Sequence, residues 1–351
     1  MFSSITKGKV YFIAEIGSNF DGSLSKAKEL ISLASWSGAN AAKFQHYTAG
    51  TLISAQGFAD LENNSHQAQW KKSVFDTYDK ASLDVSWTRE LYECCKENNI
   101  DFLTSAYSNE LLEKTVDFIP FIKIGSGDIS DVEFLQYAST FGKPIALGTG
   151  ASSIQDVTRA VQALGTNTPI CLMQCNTNYE NNCDHARYQN ISVLSTYKRN
   201  WPHLNLGLSC HMKTDLSVVL AVALGAQIIE KHFTDDNLKD GPDHKFALLP
   251  NEFKAMVAKV RLAECMLGNA EKRIEDNEVQ SHSAQRRGIV ASKDLDVGHI
   301  LTRDDLMYLR PYTSTSLHPY EANKVIGHKL LESLKMYQPI FKSNLKSDIS
   351  S

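Results

Sequence analysis

Two histidines in this sequence are placed so that they could bind one divalent metal ion. His211 ends the run GLSCH and His232 ends the run AQIIEKH, so each follows a short apolar segment. Neutral imidazole is a common ligand of divalent transition metals. A single histidine is more often a hydrogen-bonded structural group, but two at adjacent strand ends beside Glu230 favour a metal site. A metal with two nitrogen ligands and open positions would polarise a substrate carbonyl as a Lewis acid.

Two lysines lie inside apolar segments, Lys43 in AAKFQ and Lys123 in FIKIGS. A buried ammonium group is costly unless an anion pairs with it, so the natural partner is a phosphate or a carboxylate. Two alternatives stay open. An unpaired interior lysine could instead form a Schiff base with a keto substrate. A purely structural ion pair would join these lysines to Glu15 or Glu230.

Three carboxylates occur next to glycine or proline, where loops at strand ends would present them to a substrate. They are Glu15 in AEIGSN, Asp128 in GSGDIS and Asp243 in DGPDHK. Such groups could bind substrate hydroxyls or transfer protons. For Asp243 the alternative is a turn residue, because Gly-Pro-Asp is typical of turns.

Three further runs suit a polar, phosphorylated ligand. The runs GSG at 125–127 and GTG at 148–150 offer backbone N–H groups and a hydroxyl where a helix begins, which is a common way to bind phosphate. The run QCNTNY at 174–179 supplies amides, a hydroxyl and an aromatic ring. Surface loops also have this composition, so both interpretations of that run stay open.

These groups must be positioned by a series of short apolar runs that alternate with amphipathic segments. The predicted strands are 10–16, 41–45, 100–105, 121–126, 144–149, 169–175, 205–209 and 226–233. The alternation predicts an α/β chain that forms a (β/α)8 TIM barrel. A doubly wound open sheet is the competing architecture. The barrel is favoured because nearly every run ends in polar residues, and the carboxyl ends of barrel strands build the active site.

The pattern divides the chain into a barrel domain at 1–268, a polar linker at 269–285 and a small C-terminal domain at 286–351. The linker has no sustained apolar face, and the tail is too short for a barrel-sized core. Within the barrel domain, the segment 47–85 is an unusually long connection. It could act as a lid or as a partner surface.

Composition narrows the function classes. The 351 residues carry a net charge of -4, which argues against a nucleic-acid surface because such surfaces need clustered positive charge. The N-terminus has no apolar run of signal-peptide length, and no segment is apolar enough to span a membrane. We therefore expect a cytoplasmic protein. Its seven cysteines contain no Cys-x-x-Cys pair and suit reduced thiols.

Taken together, these motifs resemble the N-acetylneuraminate (sialic acid) synthase family, which includes the legionaminic and pseudaminic acid synthases. The resemblance covers nearly the whole chain, and GLSCH together with EKHFTDDNLKDGPDHKFAL is its most specific part. The tail, which opens with RRGIVASKDLDVGHILTRDDLMYLRP, resembles the family's C-terminal antifreeze-like (SAF) cap. In that family the cap reaches across a domain-swapped homodimer.

The resemblance implies roles for the candidate residues. His211 and His232 would bind a divalent metal, usually manganese, with magnesium and cobalt as alternatives. The residues that would hold phosphoenolpyruvate are Lys43, Lys123, Ser126 and Ser209, with Ser105 at a further phosphate-binding position. The residues that would surround an N-acetylated amino sugar are Glu15, Gln45, Tyr179, Asp243 and Arg310, the last one supplied by the partner subunit. Glu230 is also counted among the substrate-binding residues.

Several positions depart from the common pattern of the family: Ala106, Gly148, Thr177, Cys210 and the run RPYTSTS, which lacks the frequent Gly after Arg-Pro. Gly148 replaces a hydroxyl residue before Thr-Gly. Cys210 replaces an aspartate beside the metal histidine and could itself act as a softer ligand. Thr177 stands where many members have a phosphate-contacting asparagine, and the neighbouring Asn176 and Asn178 leave open which side chain takes that role.

The resemblance implies a synthase that condenses phosphoenolpyruvate with N-acetylmannosamine or a related acetamido hexose, adds water and releases phosphate. Asp128 and Glu15 are then the expected proton-handling groups, while Lys43 and Lys123 stabilise anions. Two rival functions remain. One is a lysine Schiff-base aldolase or lyase on the same barrel, and the other is a non-catalytic sugar-binding protein.

Overall fold

The computed structural model describes residues 2–60, 73–178, 183–313 and 315–346. The chain forms two compact units, Met1–Gly268 and Asn269–Ser351. Each unit has its own buried apolar core. No helix in the described ranges is long and apolar enough to cross a membrane.

Parallel strands form the centre of the first unit. They are β1 Tyr11–Gly17, β2 Ala41–His46, β3 Asp101–Ala106, β4 Ile122–Ile124, β5 Ile145–Gly148, β6 Ile170–Cys175, β7 Asn205–Cys210 and β8 Ala226–His232. They follow the order β3-β2-β1-β8-β7-β6-β5-β4 in one sheet. Because β3 and β4, at the two ends of this order, lie beside each other, the sheet curls into a barrel. The predicted (β/α)8 TIM barrel is confirmed.

Helices connect the strands and cover the outside of the barrel. They are α1 Phe2–Thr6, α2 Leu24–Trp36, α3 Ala49–Leu52, α4 Ala55–Asp60, α5 Val74–Ala81, α6 Thr88–Glu97, α7 Asn109–Thr115, α8 Val132–Ser139, α9 Ile154–Leu164, α10 Val193–Asn200, α11 Leu216–Ala223 and α12 Pro250–Leu267. Short 3-10 helices include Val85–Trp87, Val116–Phe118, Ser126–Ser130 and Cys183–Gln189. The long connection at 47–85 contains α3, α4 and α5, and its residues 61–72 lie outside the described ranges.

Local sequence sets the bounds of α2. Ser23 begins the helix, because its side chain accepts a hydrogen bond from the backbone N–H of Lys26 at 3.3 Å. Apolar residues spaced three and four apart bury one face of the helix. Gly38 follows the last turn with a φ of 87°, a left-handed conformation that suits glycine and ends the helix.

Each strand sends alternate side chains to the barrel interior and to the surrounding helices. In β2, Lys43 points into the interior, while Phe44 points outward and stacks on Phe102 of β3 with ring centroids 5.9 Å apart. In parallel register, Glu15 of β1 lies opposite both Lys43 of β2 and His232 of β8. The register therefore gathers charged groups from several strands at one end of the barrel.

The second unit contains a 3-10 helix at Asp276–Glu278, helix α13 at Val279–Gln285, and the antiparallel pair β9 Gly288–Ala291 and β10 Leu306–Leu309. The segment predicted as a linker, 269–285, is thus grouped with this unit and ends in a helix. Asp305 organises the turn before β10. Its carboxylate accepts hydrogen bonds from Thr302 N and Oγ1 at 2.8 and 2.7 Å and pairs with Lys293 Nζ at 2.9 Å.

Candidate active site

Four charged side chains form a buried cluster at the carboxyl ends of the barrel strands. Lys43 Nζ lies 2.6 Å from Glu15 Oε2 and 3.8 Å from Glu230 Oε2. Lys123 Nζ lies 3.3 Å from Glu230 Oε1. All four residues are buried. The ion-pair alternative considered for the lysines is therefore present in this structure, with two ammonium groups balanced by two carboxylates.

The two carboxylates of this cluster differ in their tendency to hold a proton. Burial raises the pKa of Glu15 above its ordinary value, and the charge of Glu230 raises it further, against the opposing effect of Lys43. Burial also acts to raise the pKa of Glu230, but Lys123 and Lys43 outweigh it and lower that pKa. Glu230 is accordingly the permanent anion of the cluster, and Glu15 is the group suited to exchanging a proton.

Polar neighbours fix the orientation of these carboxylates. Gln45 Nε2 donates to Glu15 Oε1 at 2.6 Å, and Ser209 Oγ donates to Glu230 Oε1 at 2.9 Å. Ser105 of β3 is buried and lies opposite Gln45 in register. The structure thus brings these predicted residues to the same end of the barrel.

His211 and His232 face each other across the ends of β7 and β8, with ring centroids 5.4 Å apart. His211 Nδ1 donates to the carbonyl of Asn176 at 2.8 Å, which fixes its tautomer. Burial lowers the pKa of His211 to about 4 and that of His232 well below its ordinary value, so both rings are neutral near pH 7. Phe246 packs against both rings, at 5.9 and 4.8 Å.

The histidine pair fits a metal site with few protein ligands. His232 Nδ1 is buried and has no hydrogen-bond partner within the described ranges, and its nearest carboxylate oxygen, Asp243 Oδ2, is 4.0 Å away. Two neutral, facing imidazoles are suitable donors for a divalent transition metal. Among the described residues, no group of three or more His, Cys, Asp or Glu side chains is arranged to hold a metal. Water or substrate oxygens would have to complete the coordination.

Cys210 points away from the histidine pair. Its sulfur lies 3.2 Å from Ser217 Oγ of α11 and 3.5 Å from Lys231 Nζ, on the outer side of β7 and β8. Lys231 is buried there and also donates to the carbonyl of Met212. The suggestion that Cys210 could act as a softer metal ligand is therefore wrong. The alternation of in and out along a strand explains this, because Ser209 before it and His211 after it face the interior.

A tight hydroxyl cluster occupies the ends of β4, β5 and β6. Ser126 Oγ accepts a hydrogen bond from Gly150 N at 2.9 Å. A Cβ on Gly148 would lie 2.8 Å from Ser126 Oγ, and a Cβ on Gly150 would lie 2.5 Å from Thr177 Cγ2. Thr149 instead donates its hydroxyl hydrogen to the carbonyl of Met173 at 2.9 Å. The two glycines therefore allow close packing, which brings the Ser126 hydroxyl and the Thr177 methyl group up against Gly150.

Asp243 and Asp128 lie at different sides of the barrel mouth. Asp243 Oδ2 accepts a hydrogen bond from Ser18 N at 3.2 Å, and burial raises the pKa of this carboxyl group. Asp128 lines a cavity of about 200 Å³ together with Tyr107 and Asp131. Burial, reinforced by the charge of Asp131, raises the pKa of Asp128 to about 6. Both carboxyl groups can therefore exchange protons nearer to neutral pH than an ordinary aspartate.

Two predicted site residues do not belong to the described part of the first unit. Tyr179 lies outside the described ranges. Arg310 belongs to the second unit, where it is exposed at the end of β10. The sequence motifs also did not single out two residues that contact the histidine pair, Cys175 and Phe246. Only the aromatic residue in the run GPDHKF could have pointed to Phe246.

Comparison with known proteins decides the family. The family model for NeuB matches residues 30–272, which is more than half of the chain. The chain belongs to the NeuB family. A second family model, for the SAF domain, matches residues 286–346 and confirms the predicted C-terminal domain.

NeuB-family relatives of this chain include named synthases. The chain is 31% identical to an N,N'-diacetyllegionaminic acid synthase of Legionella pneumophila, over 92% of this chain and 91% of the relative. It is 30% identical to a pseudaminic acid synthase of Campylobacter jejuni, over 94% and 95% of the two chains. Among solved structures, an N-acetylneuraminic acid (sialic acid) synthetase of Leptospira borgpetersenii in complex with citrate matches with a TM-score of 0.69 and 26% identity, covering 78% of this chain and 90% of that one.

Proposed function

We propose that this NeuB-family chain is a nonulosonic acid synthase, a transferase that condenses phosphoenolpyruvate with N-acetylmannosamine or a related acetamido hexose. One observation carries the proposal. Two buried lysines, Lys43 and Lys123, share the barrel end with a pair of neutral histidines, His211 and His232. The lysines suit a small, multiply charged anion, and the histidines suit a metal that acts on a carbonyl. The names of the relatives support the same chemistry.

The ion pairs of the cluster describe how the anion would bind. Glu15 and Glu230 now neutralise Lys43 and Lys123. The phosphate and carboxylate of phosphoenolpyruvate replace part of that neutralisation, so the lysines are never left buried without an anion. Among the hydroxyl residues at this end, Ser105, Ser126, Ser209 and Thr177 would donate hydrogen bonds to the substrate oxygens.

His211 and His232 would hold the divalent metal, manganese by resemblance, with magnesium and cobalt as alternatives. When bound, this ion supplies Lewis-acid polarisation of the aldehyde oxygen of the open-chain sugar. Asp243 and Gln45, on the same side of the barrel, bind the sugar hydroxyls. Tyr179 and Arg310 complete the sugar site by resemblance.

The reaction consumes phosphoenolpyruvate, the amino sugar and water, and it needs no other reactant. C3 of phosphoenolpyruvate forms a bond to the aldehyde carbon, whose oxygen becomes a hydroxyl group. A water oxygen adds at C2, and the bond from C2 to the phosphate oxygen then breaks, which leaves a keto acid and inorganic phosphate. Protons must reach the new hydroxyl and leave the water, and Glu15 and Asp128 are the carboxyl groups with raised pKa values that can exchange them.

The Schiff-base alternative is less compatible with the geometry. A Schiff base requires a neutral amine as nucleophile. Burial acts to lower the pKa of Lys43, but Glu15 and Glu230 outweigh it and raise that pKa above its ordinary value. Lys123 is likewise paired with Glu230.

The proposed assembly is a homodimer in which the SAF cap of one subunit completes the active site in the barrel of the other. The proposed location is the cytoplasm.

A phosphate-release assay tests the function. The protein is incubated with phosphoenolpyruvate, Mn²⁺ and a panel of N-acetylmannosamine and diacetamido-trideoxyhexoses, and the product mass is measured. We expect phosphate release that needs both a sugar and the metal, and a product that contains the sugar plus a three-carbon keto acid unit. Lys123→Met is the inactive control. If no sugar of the panel gives phosphate release, the proposal is contradicted. If borohydride traps pyruvate on the protein, the Schiff-base alternative is supported instead.

A further inference from the structure

His244 follows Asp243 directly in the chain and has no part in the chemistry proposed above. It is fully buried. Its Nδ1 lies 2.7 Å from Thr234 Oγ1, and its Nε2 lies 2.9 Å from Asp21 Oδ1. Because an ionised carboxylate only accepts hydrogen bonds, the Nε2 atom carries a proton. The ring is therefore held from both sides.

Asp243 and His244 form hydrogen bonds with two different residues of the same turn. Ser18 and Asp21 both belong to the turn that follows β1, where Asp21 N donates to the carbonyl of Ser18 at 3.4 Å. Asp243 Oδ2 accepts from Ser18 N at 3.2 Å, while His244 contacts Asp21. Two consecutive residues of the loop after β8 are thus attached to two positions of one turn, which restricts rotation of the loop.

Ion pairs fix the position of Asp21, the hydrogen-bond acceptor of His244. Lys239 Nζ lies 3.1 Å from Asp21 Oδ2 and 3.2 Å from Asp235 Oδ1. Lys26 of α2 pairs with the same Asp235 at 2.6 Å. Gly241 leaves room for the ring, because a Cβ there would lie 2.7 Å from His244 Cδ2. We call Asp21, Thr234 and His244 the clamp.

We propose that His244 is a positioning residue that fixes the carboxylate of Asp243 for binding of the acceptor sugar. The clamp holds Asp243 Oδ2 over Gly17 and 4.0 Å from His232 Nδ1. A carboxylate fixed in advance loses little conformational freedom when a hydroxyl group binds to it. The sugar as its ligand rests on the function proposed above, whereas the clamp itself does not.

The clamp should affect one substrate and not the other. Its three residues have no hydrogen bond or ion pair to Lys123 or Ser126 in the described structure. Loosening the clamp displaces Asp243, while the ion pairs of Lys43 and Lys123 with Glu15 and Glu230 stay intact. The Michaelis constant for the amino sugar should therefore rise, because Asp243 is the group that binds the sugar. The Michaelis constant for phosphoenolpyruvate should stay within about twofold of the wild-type value.

The test uses His244→Ala and Asp21→Ala, each alone and combined with Asp243→Ala, together with Asp21→Asn. We expect kcat/KM for the sugar to fall about 10- to 100-fold in the first two variants. In the Asp243→Ala background the same changes should cost little more, because the carboxylate they position is already absent. Asp21→Asn retains an acceptor for Nε2–H and should keep most of the activity.

His46→Ala is the matched control. His46 is also fully buried, with Nδ1 2.7 Å from Thr104 Oγ1 and Nε2 2.9 Å from Thr88 Oγ1, and neither of these hydrogen bonds involves Asp243 or its loop. Its removal should lower thermal stability and should affect both substrates alike. If His244→Ala behaves like His46→Ala, or if its effect adds fully to that of Asp243→Ala, the positioning role is wrong.

A second readout does not depend on turnover. Hydrogen exchange measured by mass spectrometry reports on the Ser18 amide, which donates to Asp243 in the wild-type protein. His244→Ala should speed exchange in peptides that cover 17–22 and leave peptides of β5 and β6 unchanged. A wild-type protein that turns over no substrate would refute the proposed function but would still allow this test. Unchanged exchange at 17–22 would refute the clamp.

Discussion

The carboxylate of Asp243 lies directly over the backbone of Gly17, so close that a Cβ on Gly17 would be 2.4 Å from Asp243 Oδ2. The φ of Gly17 is 55°, a left-handed conformation that side chains rarely adopt. Two independent constraints therefore require glycine at this position, and one of them involves a proposed sugar-binding group.

Gly17→Ala should strongly impair use of the amino sugar. The new methyl group has to displace the Asp243 carboxylate, and Gln45 Nε2 and Glu15 Oε1 are each only 3.4 Å from the same point. We expect kcat/KM for the sugar to fall by about 100-fold. Steady-state kinetics with each substrate varied in turn measure this.

Gly22→Ala is the control for backbone strain. Gly22 lies in the same turn with a φ of 70°, and the nearest atom to an added Cβ is 4.0 Å away. It should lose about 1 kcal/mol of stability from the left-handed conformation and keep its sugar kinetics. Equal kinetic losses in the two variants would show that strain, and not the contact with Asp243, is responsible.

Gly148→Ala should weaken binding of phosphoenolpyruvate. An added Cβ would lie 2.8 Å from Ser126 Oγ and 3.1 Å from Ser126 N, so the Ser126 hydroxyl has to leave its hydrogen bond with Gly150. We expect the Michaelis constant for phosphoenolpyruvate to rise about tenfold, equivalent to about 1.4 kcal/mol.

A double variant tests the cause. Adding Ser126→Ala to Gly148→Ala removes the atom that the methyl group meets, so the double variant should be no worse than Ser126→Ala alone. Full additivity of the two losses would show that Gly148 acts through some other neighbour.

The fold was predictable because buried parallel strands have a strong sequence signal. Runs such as PICLMQC are apolar on both faces, and the register then places their polar last residues at one end of the barrel. Strand alternation also assigns Lys231 and Cys210 to the outer side, between residues that face the interior. It does not reveal their partners, because those come from α11 and from the loop after β7.

Contacts between distant loops were not predictable. The run DGPDHK marked Asp243 as a candidate but not His244, because the hydrogen bond from His244 joins it to a residue 223 positions away. The sequence also does not show that Glu15, and not a substrate, neutralises Lys43, because this depends on side-chain conformations at the end of β1.

Asp128→Asn should stabilise the protein near neutral pH while it impairs catalysis. The pKa of Asp128 is raised to about 6, above the value of an unfolded aspartate, so between about pH 4 and 6 the folded state binds more protons than the unfolded state. Ionisation of Asp128 therefore costs stability as the pH rises through this range. The amide removes the cost, and we expect a gain of about 1–2 kcal/mol at pH 7 after allowance for solvent screening.

Denaturant unfolding at pH 4 and pH 7 measures this effect. The gain should shrink to about 0.5 kcal/mol or less at pH 4, where the folded wild-type carboxyl group is protonated and the unfolded one is about half protonated. Asp131→Asn is the matched control: it removes the neighbouring charge that helps raise the pKa of Asp128, so it should give a smaller gain and retain activity. A gain of equal size at both pH values would mean that the pKa of Asp128 is not its source.

Arg310→Ala tests the proposed exchange of caps between subunits through mixing. Arg310 is exposed on the second unit, so its loss should leave both cores intact. By resemblance, it contacts the amino sugar in the partner's barrel, so the variant alone should have little activity. Lys123→Met, with its altered barrel, should also be inactive. If the two variants are co-expressed, a mixed dimer has one normal barrel that faces one normal cap.

Random pairing makes about half of the dimers mixed, and one of the two sites in each is complete, so activity should recover to about a quarter of the wild-type value. If Arg310 served its own barrel, every site in the mixed dimer would carry one of the two changes and no activity would return. Mixed dimers isolated through two different affinity tags, and assayed for phosphate release, distinguish these results. Activity in the mixed dimers requires that a residue from one chain completes the active site of the other. Neither variant chain alone has both a normal barrel and a normal cap.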